Sequence, residues 1–182
     1  MTYRIIKKSL FITFYDREKI FLNNLKYLKK CKMYNEYEKL VVYQNAKEEI
    51  IKKIRKIDPN IKVIKTNYSK NYSTYSKVNN NIYLGFSYCF NVFKSDYSIH
   101  IEDDITPAYD FLVFVNYIMK KYKNDKYFFG VNGFSKEVLN VSKFTYSKYI
   151  YGIGKGWCIS KSRFSEIKYK FKTILNKNAK RF

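Results

Sequence analysis

Two rhythms of apolar and polar positions take turns along this chain. "SLFITFYDR" is an apolar run from Ser9 to Phe14 closed by a polar turn at Asp16-Arg17, the pattern of a buried strand. In "REKIFLNNLKYLKK" the positions Ile20, Phe21, Leu25 and Leu28 return at helical spacing. "KLVVYQN" predicts a second strand over Lys39 to Tyr43. "AKEEIIKKIRKI" predicts a charged helix with Ile50, Ile51, Ile54 and Ile57 on one face, stopped by Asp58-Pro59-Asn60. "IKVIKT" is a short third strand. A polar loop from Asn67 to Ser73 then leads into a helix that runs to about Phe93. "YSIHIEDD" reads as the fourth strand, "DFLVFVNYIMKKY" as a helix after Pro107, and "KYFFGVNGF" as a fifth strand. "FTYSKYIYGIGKGWCIS" reads as irregular with a Gly-rich turn. The chain closes on a basic helix carrying Phe164, Ile167, Phe171, Ile174 and Leu175 at helical spacing.

Strands that alternate with helices across short connections predict an α/β fold with a mostly parallel sheet flanked by helices. Its 182 residues suit a single domain. In such sheets ligands collect beyond the carboxyl ends of the strands. Asp16-Arg17, Gln44-Asn45, Asn67 and the triplet Glu102-Asp103-Asp104 all fall at predicted strand ends. One site assembled from several strand ends explains them more simply than four unrelated polar turns.

Charge sharpens the interest in that triplet. The chain has 36 Lys+Arg against 15 Asp+Glu, a formal net charge of +21, so three consecutive acids stand out. A surface this basic attracts nucleic acid, anionic headgroups or phosphorylated substrates, although most lysines are expected on solvated helix faces. The three cysteines, Cys31, Cys89 and Cys158, lie far apart with neither zinc spacing nor a disulfide framework. Buried reduced thiols and a cytoplasmic location are the expectation. The N-terminal apolar run is short and broken by lysine, unlike a signal peptide, and no run approaches the roughly 20 apolar residues of a membrane span.

Along the fourth strand Ile99 and Ile101 share one face, and His100 and Glu102 the other. Asp103 and Asp104 then leave the sheet, free to face different partners. Hard cations such as Mg²⁺ and Mn²⁺ favour oxygen ligands, often one or two carboxylates completed by substrate phosphates. The plainer alternative is that the pair complements the dipole of the following helix. His100, the only histidine, is expected to be a hydrogen-bonded core residue.

"HIEDDITPAYDFLVFVNYI" resembles the motif of N-acetylglucosaminyltransferase I and its relatives, the family 13 type of GT-A-fold glycosyltransferases. "FITFYDREKIFLNNLKYL" is similar to that family's first strand, Asp-Arg turn and first helix, and "LVVYQN" to the strand that meets the nucleotide base. "YSKVNNNIYLGFSYCF" is similar to the helix before the acidic strand, and "YGIGKGWCIS" to a Gly-x-Gly-Trp element on the acceptor side. The resemblance implies a GT-A-like, Rossmann-like domain over residues 1–182, with a nucleotide and metal half (1–104) and an abbreviated acceptor-side half (105–182). It implies transfer of a sugar from a nucleotide sugar, a UDP-sugar by preference, to a glycan, lipid-linked or protein acceptor, with Mn²⁺ or Mg²⁺. Asp104 would be the metal ligand, Asp103 would lie near the ribose, and Glu102 near the donor sugar as the candidate catalytic carboxylate. Asp16, Arg17, Gln44, Asn45 and Lys77 would bind the donor. Gly154, Gly156 and Trp157 would face the acceptor. Apart from the resemblance, Lys155 and the backbone N–H groups near Gly154 either contact the diphosphate or form a plain loop.

Two departures stand out. Gln44 and Asn45 occupy the place of an Asp that reads uracil in the family. "FKTILNKNAKRF" has no acid where the family supplies its catalytic base, which leaves Glu166 as a poor substitute. A chain that binds sugar nucleotides without transferring is therefore one alternative, and a basic nucleic-acid-binding module another. Trp157 either stacks on an acceptor sugar or fills the core. The terminal helix either packs on the sheet or attaches peripherally to an anionic membrane.

Overall fold

In the computed structural model, which describes residues 5–133 and 155–179 and side chains as far as 171, six strands form one sheet of order β3-β2-β1-β4-β6-β5. The strands are β1 (Lys8–Phe14), β2 (Glu38–Gln44), β3 (Lys62–Thr66), β4 (Tyr97–Glu102), β5 (Gly130–Asn132) and β6 (Trp157–Ser160). The helices are α1 (Glu18–Lys30), α2 (Glu48–Ile57), α3 (Thr74–Asn91), α4 (Phe111–Lys121) and α5 (Lys161–Ala179). β1 pairs in parallel with both β2 and β4, and β2 with β3, while β6 runs antiparallel between β4 and β5. The α/β class and the mostly parallel sheet agree with the strand–helix alternation of the sequence.

The alternation of side chains along each strand divides the core. Leu10, Ile12, Phe14, Val41, Ile99 and Ile101 pack on one face with Phe21, Leu25 and Leu28 of α1, Ile50, Ile51 and Ile54 of α2, and Leu112 and Val115 of α4. Phe11, Leu40, Val42 and Ile159 pack on the other with Phe86 and Phe90 of α3 and Phe164 of α5. Full burial of each such side chain contributes about 1.5–3 kcal/mol. Gly85 lets α3 lie directly over β1, since a Cβ there would stand 2.2 Å from the Phe11 ring.

Three expectations need correction. Trp157–Ser160 is strand β6, not irregular chain. Its order comes from insertion between β4 and β5, a long-range pairing without a local periodic signal. The fifth strand is cut to Gly130–Asn132. Ile20 is 48% exposed, because the buried stripe of α1 runs through Phe21, Asn24, Leu25 and Leu28. The start of α5 packs on α3, with Phe164 and Phe171 beside the Tyr83 ring, as expected for sheet packing. All three cysteines are buried and unpaired. Among the described residues no helix is long and apolar enough to cross a membrane.

Candidate functional site at the carboxyl edge of the sheet

β1 lies between β2 and β4, so the chain leaves β1 toward one side of the sheet and returns through α3 to the other. The loops after β1 and β4 therefore meet at the switch point, where α/β sheets hold ligands. Arg17 follows β1 and is the N-cap residue of α1. It reaches across to the turn after β4, where Nη1 donates to Asp104 Oδ2 at 2.9 Å and Nη2 pairs with Asp103 Oδ1. The turn itself is tied to α1. Asn24 Nδ2 donates to the Asp103 carbonyl at 3.0 Å, and Thr106 Oγ1 donates to Asn24 Oδ1 at 2.6 Å.

The three acids are thus held differently. Asp103 is buried, its carboxylate turned to Arg17. Burial raises its pKa above the ordinary carboxylate value, and Arg17 restrains the rise. Glu102 is more open, with Lys155 Nζ 3.7 Å from its Oε2. Asp104 meets Arg17 and Lys155 through Oδ2, with Lys155 Nζ at 3.6 Å. Its other oxygen, Oδ1, is buried and has no hydrogen-bond partner among the described residues. A buried oxygen without a partner is costly unless something completes it.

This donor set fits a hard divalent cation. Asp104 Oδ1 supplies an unengaged carboxylate oxygen, and Glu102 a second carboxylate nearby. Among the described residues no group of three or more His, Cys, Asp and Glu side chains gathers to hold a metal unaided. A cation there would need oxygens from its substrate, as Mg²⁺ and Mn²⁺ commonly take from phosphates.

The other expected residues spread along the same edge. Asp16 is exposed in the turn after β1. Asn45 is exposed with φ 54° at the end of β2. Its left-handed backbone is one that Asn tolerates. Gln44 is buried, and its Oε1 accepts from Asn81 Nδ2 at 3.2 Å. Asn81 Oδ1 in turn accepts from Thr66 and Tyr68 at 3.0 and 2.7 Å. Gln44 therefore organises a polar network behind the edge, while Asn45 faces outward. Two strand spacings, about 10 Å, separate the end of β2 from that of β4. Lys77 is half-buried in the first turns of α3 at this edge. Gly156, with φ +65°, leads into β6, and Trp157 packs against Phe86 at 4.8 Å between ring centroids. Gly154 lies outside the described residues.

Two residues fall elsewhere. His100 is 1% exposed, stacks on Phe11 at 4.9 Å, and shares a 2.9 Å hydrogen bond with Thr13 through Nε2. Burial lowers its pKa to about 3, so it stays neutral, a core histidine. Glu166 forms a two-pronged pair with Arg163 Nη1 at 2.9 and 3.0 Å. Arg163 also donates through Nε to the Phe128 carbonyl at 3.0 Å, ahead of β5. Glu166 is therefore anchored near the amino edge, beside the chain that leads into β5. Asn24 was missed by sequence reasoning. A polar residue inside the apolar stripe of an amphipathic helix was the available signal.

No protein-family model matches the chain, and no curated protein matches it. Solved structures do. A cytidylyltransferase from Leptospira borgpetersenii serovar Hardjo-bovis is similar at TM-score 0.56 and 11% identity, over 94% of this chain and 70% of that one. The glycosyltransferase GlyE of Streptococcus pneumoniae TIGR4 is similar at TM-score 0.51 and 9% identity, over 97% of this chain and 40% of that one. The fold is GT-A-like. A mannosyltransferase from Pyrobaculum calidifontis in complex with GDP-Man and Mn²⁺, at TM-score 0.48 and 13% identity over 72% of this chain and 36% of that one, is too distant to bear on it. The chain thus spans well under half the length of the glycosyltransferases it is similar to.

Proposed function

We propose that this chain is the nucleotide-sugar-binding domain of a divalent-metal-dependent glycosyltransferase. It would take a sugar from a nucleotide-sugar donor, UDP-linked by preference, to a glycan, lipid-linked or protein acceptor. The acidic motif favours the N-acetylglucosaminyltransferase I type within that class. The observation that carries the reading is Asp104 at the switch point, one carboxylate oxygen fixed by Arg17 and the other buried without a partner among the described residues. The two more similar folds belong to a glycosyltransferase and a cytidylyltransferase, which is consistent with it.

In this reading Asp104, with Glu102 beside it, would hold Mn²⁺ or Mg²⁺. The bound cation would supply Lewis acidity toward the departing diphosphate. Arg17 keeps Asp104 in one orientation, so the ligand oxygen needs no rearrangement. Asp103 acts from behind, as the buried anchor for Arg17, rather than at the ribose. Asn45, Asp16 and Lys77 would line the path of the nucleoside along the edge, with residues 1–104 forming the donor half. Residues 105–182 would form the acceptor half around Gly154, Gly156 and Trp157. An acceptor hydroxyl needs a base to take its proton, and general base help contributes about 10²–10⁴-fold.

One observation favours a second reading, donor binding without transfer. Glu166, the only carboxylate after Trp157, is engaged by Arg163 at the amino edge. A thermal-shift screen of nucleotide sugars with and without Mn²⁺ tests both readings. Mn²⁺-dependent stabilisation of about 2–3 kcal/mol at a hundredfold excess over Kd is expected, and its loss in Asp104→Ala. Stabilisation that ignores both metal and mutation would refute the metal-dependent site. Release of free sugar or transfer to acceptors then separates an active enzyme from a silent binder.

A further inference from the structure

Arg17 and Lys155 both neutralise the acidic triplet, yet they do so in different ways. Arg17 makes a 2.9 Å hydrogen bond to Asp104 and pairs with buried Asp103. Lys155 stands 3.7 Å from Glu102 and 3.6 Å from Asp104, and its side chain is 44% exposed. Those separations exceed hydrogen-bond range, so among the described residues charge is what draws the ammonium there. Asp104 Oδ1 is buried and has no hydrogen-bond partner among the described residues. Of the two cations, Lys155 is the more loosely held. Its four-carbon stem lets the ammonium travel several ångströms without backbone movement.

From this contrast we infer that Lys155 is an exchangeable counter-ion, specific to the diphosphate of the donor. In the ligand-free protein its ammonium balances Glu102 and Asp104. When a divalent cation occupies those carboxylates, the Lys155 ammonium is repelled from them and pairs with the diphosphate oxygens that arrive with the cation. No bond is made or broken, and the positive charge is only redistributed. The chain thereby keeps its acidic triplet from repelling a polyanion at any stage. This inference rests on the donor-binding reading above and adds a role for Lys155 within it.

The inference makes two affinities move in opposite directions. Full-length Lys155→Met and Lys155→Arg would be compared with the parent, using Mn²⁺ alone by electron paramagnetic resonance. Then UDP, CDP, GDP and ADP at saturating Mn²⁺ would be measured by calorimetry. Lys155→Met should bind Mn²⁺ alone about three- to tenfold more tightly, because no ammonium competes for the carboxylates. The same variant should bind the preferred nucleoside diphosphate about tenfold more weakly. Lys155→Arg should stay within about threefold of the parent in both. If the parent binds Mn²⁺ and a nucleoside diphosphate, but both affinities of Lys155→Met hold steady or move together, the exchange is overturned and the donor-binding reading survives. If the parent binds neither, both fall together.

Discussion

The two edges of the sheet each carry a cluster of acids and bases, and the clusters are built on opposite plans. At the amino edge Asp58 follows α2, Lys39 opens β2, and Tyr34 lies in the 3₁₀ turn before it. Tyr34 donates to Asp58 Oδ2 at 2.8 Å, Lys39 Nζ stands 3.6 Å from the same oxygen, and the Asn60 N–H donates to Oδ1 at 2.9 Å. The Lys39 and Asp58 side chains are only 8% and 6% exposed, and the Lys39 ammonium lies 4.7 Å from the centre of the Tyr34 ring. Both oxygens of this carboxylate are answered from within the fold. At the carboxyl edge, among the described residues, three acids face two cations, one of them beyond hydrogen-bond range, and an oxygen of Asp104 has no partner. A closed cluster can only stabilise the fold, whereas an open one leaves capacity for a ligand.

The largest expected effect breaks the closed cluster. Asp58→Ala leaves the Lys39 ammonium buried without its counter-charge, which should cost about 3–5 kcal/mol in urea unfolding. Replacing both partners, Lys39→Met with Asp58→Leu, should recover most of that loss, because the desolvation of both charges disappears together. Asp104→Ala at the other edge should change stability by less than about 1 kcal/mol, since its partners remain near solvent or retain Asp103 and Glu102. Equal losses from Asp58→Ala and Asp104→Ala would erase the distinction between the edges.

That distinction was only half legible in the sequence. Apolar runs and helical spacing gave β1 to β4 and helices α1, α2 and α5. They failed at β6, whose four residues, Trp157–Ser160, owe their extended form to neighbours contributed by distant chain. Of the carboxyl-edge cluster, the triplet was visible as acids at a strand end in a basic chain, and the Asp-Arg turn as its neighbour. The pairing of Arg17 with Asp103 was not visible, since 86 residues separate them and only the parallel register of β1 and β4 brings them together. Nor was the division of labour within the triplet, which depends on which side of the turn each carboxylate faces. The Asp58 cluster was read merely as a helix stop. Asp-Pro-Asn is a sound stop signal, and nothing local told that its first residue was also the partner of a buried lysine in β2.

A pH titration sharpens the comparison, because the two edges should respond with opposite sign. Burial alone would raise the Asp58 pKa, but the Asn60 N–H, the Tyr34 hydroxyl and Lys39 outweigh it and hold the group below the ordinary carboxylate value. Asp58 therefore stabilises the fold above the unfolded Asp pKa of about 3.9, and that contribution is lost as pH falls through its lower folded value. Asp103 is raised by burial despite Arg17, so its contribution is present below the unfolded value and lost as pH climbs through the folded one. Chemical unfolding between pH 3 and 6 should show a shallower acid loss in Asp58→Asn than in the parent. Asp103→Asn should remove a loss on the alkaline side of that range. Identical slopes in the two variants would mean that the edges do not differ in how they hold a carboxylate.

The smallest expected effect concerns Glu166, near the amino edge. Its side chain is 54% exposed, and its pair with Arg163 spans one helical turn. Exposed pairs of this kind contribute about 0.3–0.5 kcal/mol. Glu166→Gln should therefore shift unfolding by no more than that, and should leave Mn²⁺ and nucleotide binding unchanged, since Arg163 holds the residue beside the chain that leads into β5. The sensitive readout is transfer itself. A variant that keeps donor binding but loses turnover by a hundredfold or more would make Glu166 a catalytic base, and the amino edge would then be more than a scaffold. Unchanged turnover leaves proton removal to a group nearer the triplet, where Glu102 is the carboxylate with the greatest access to solvent.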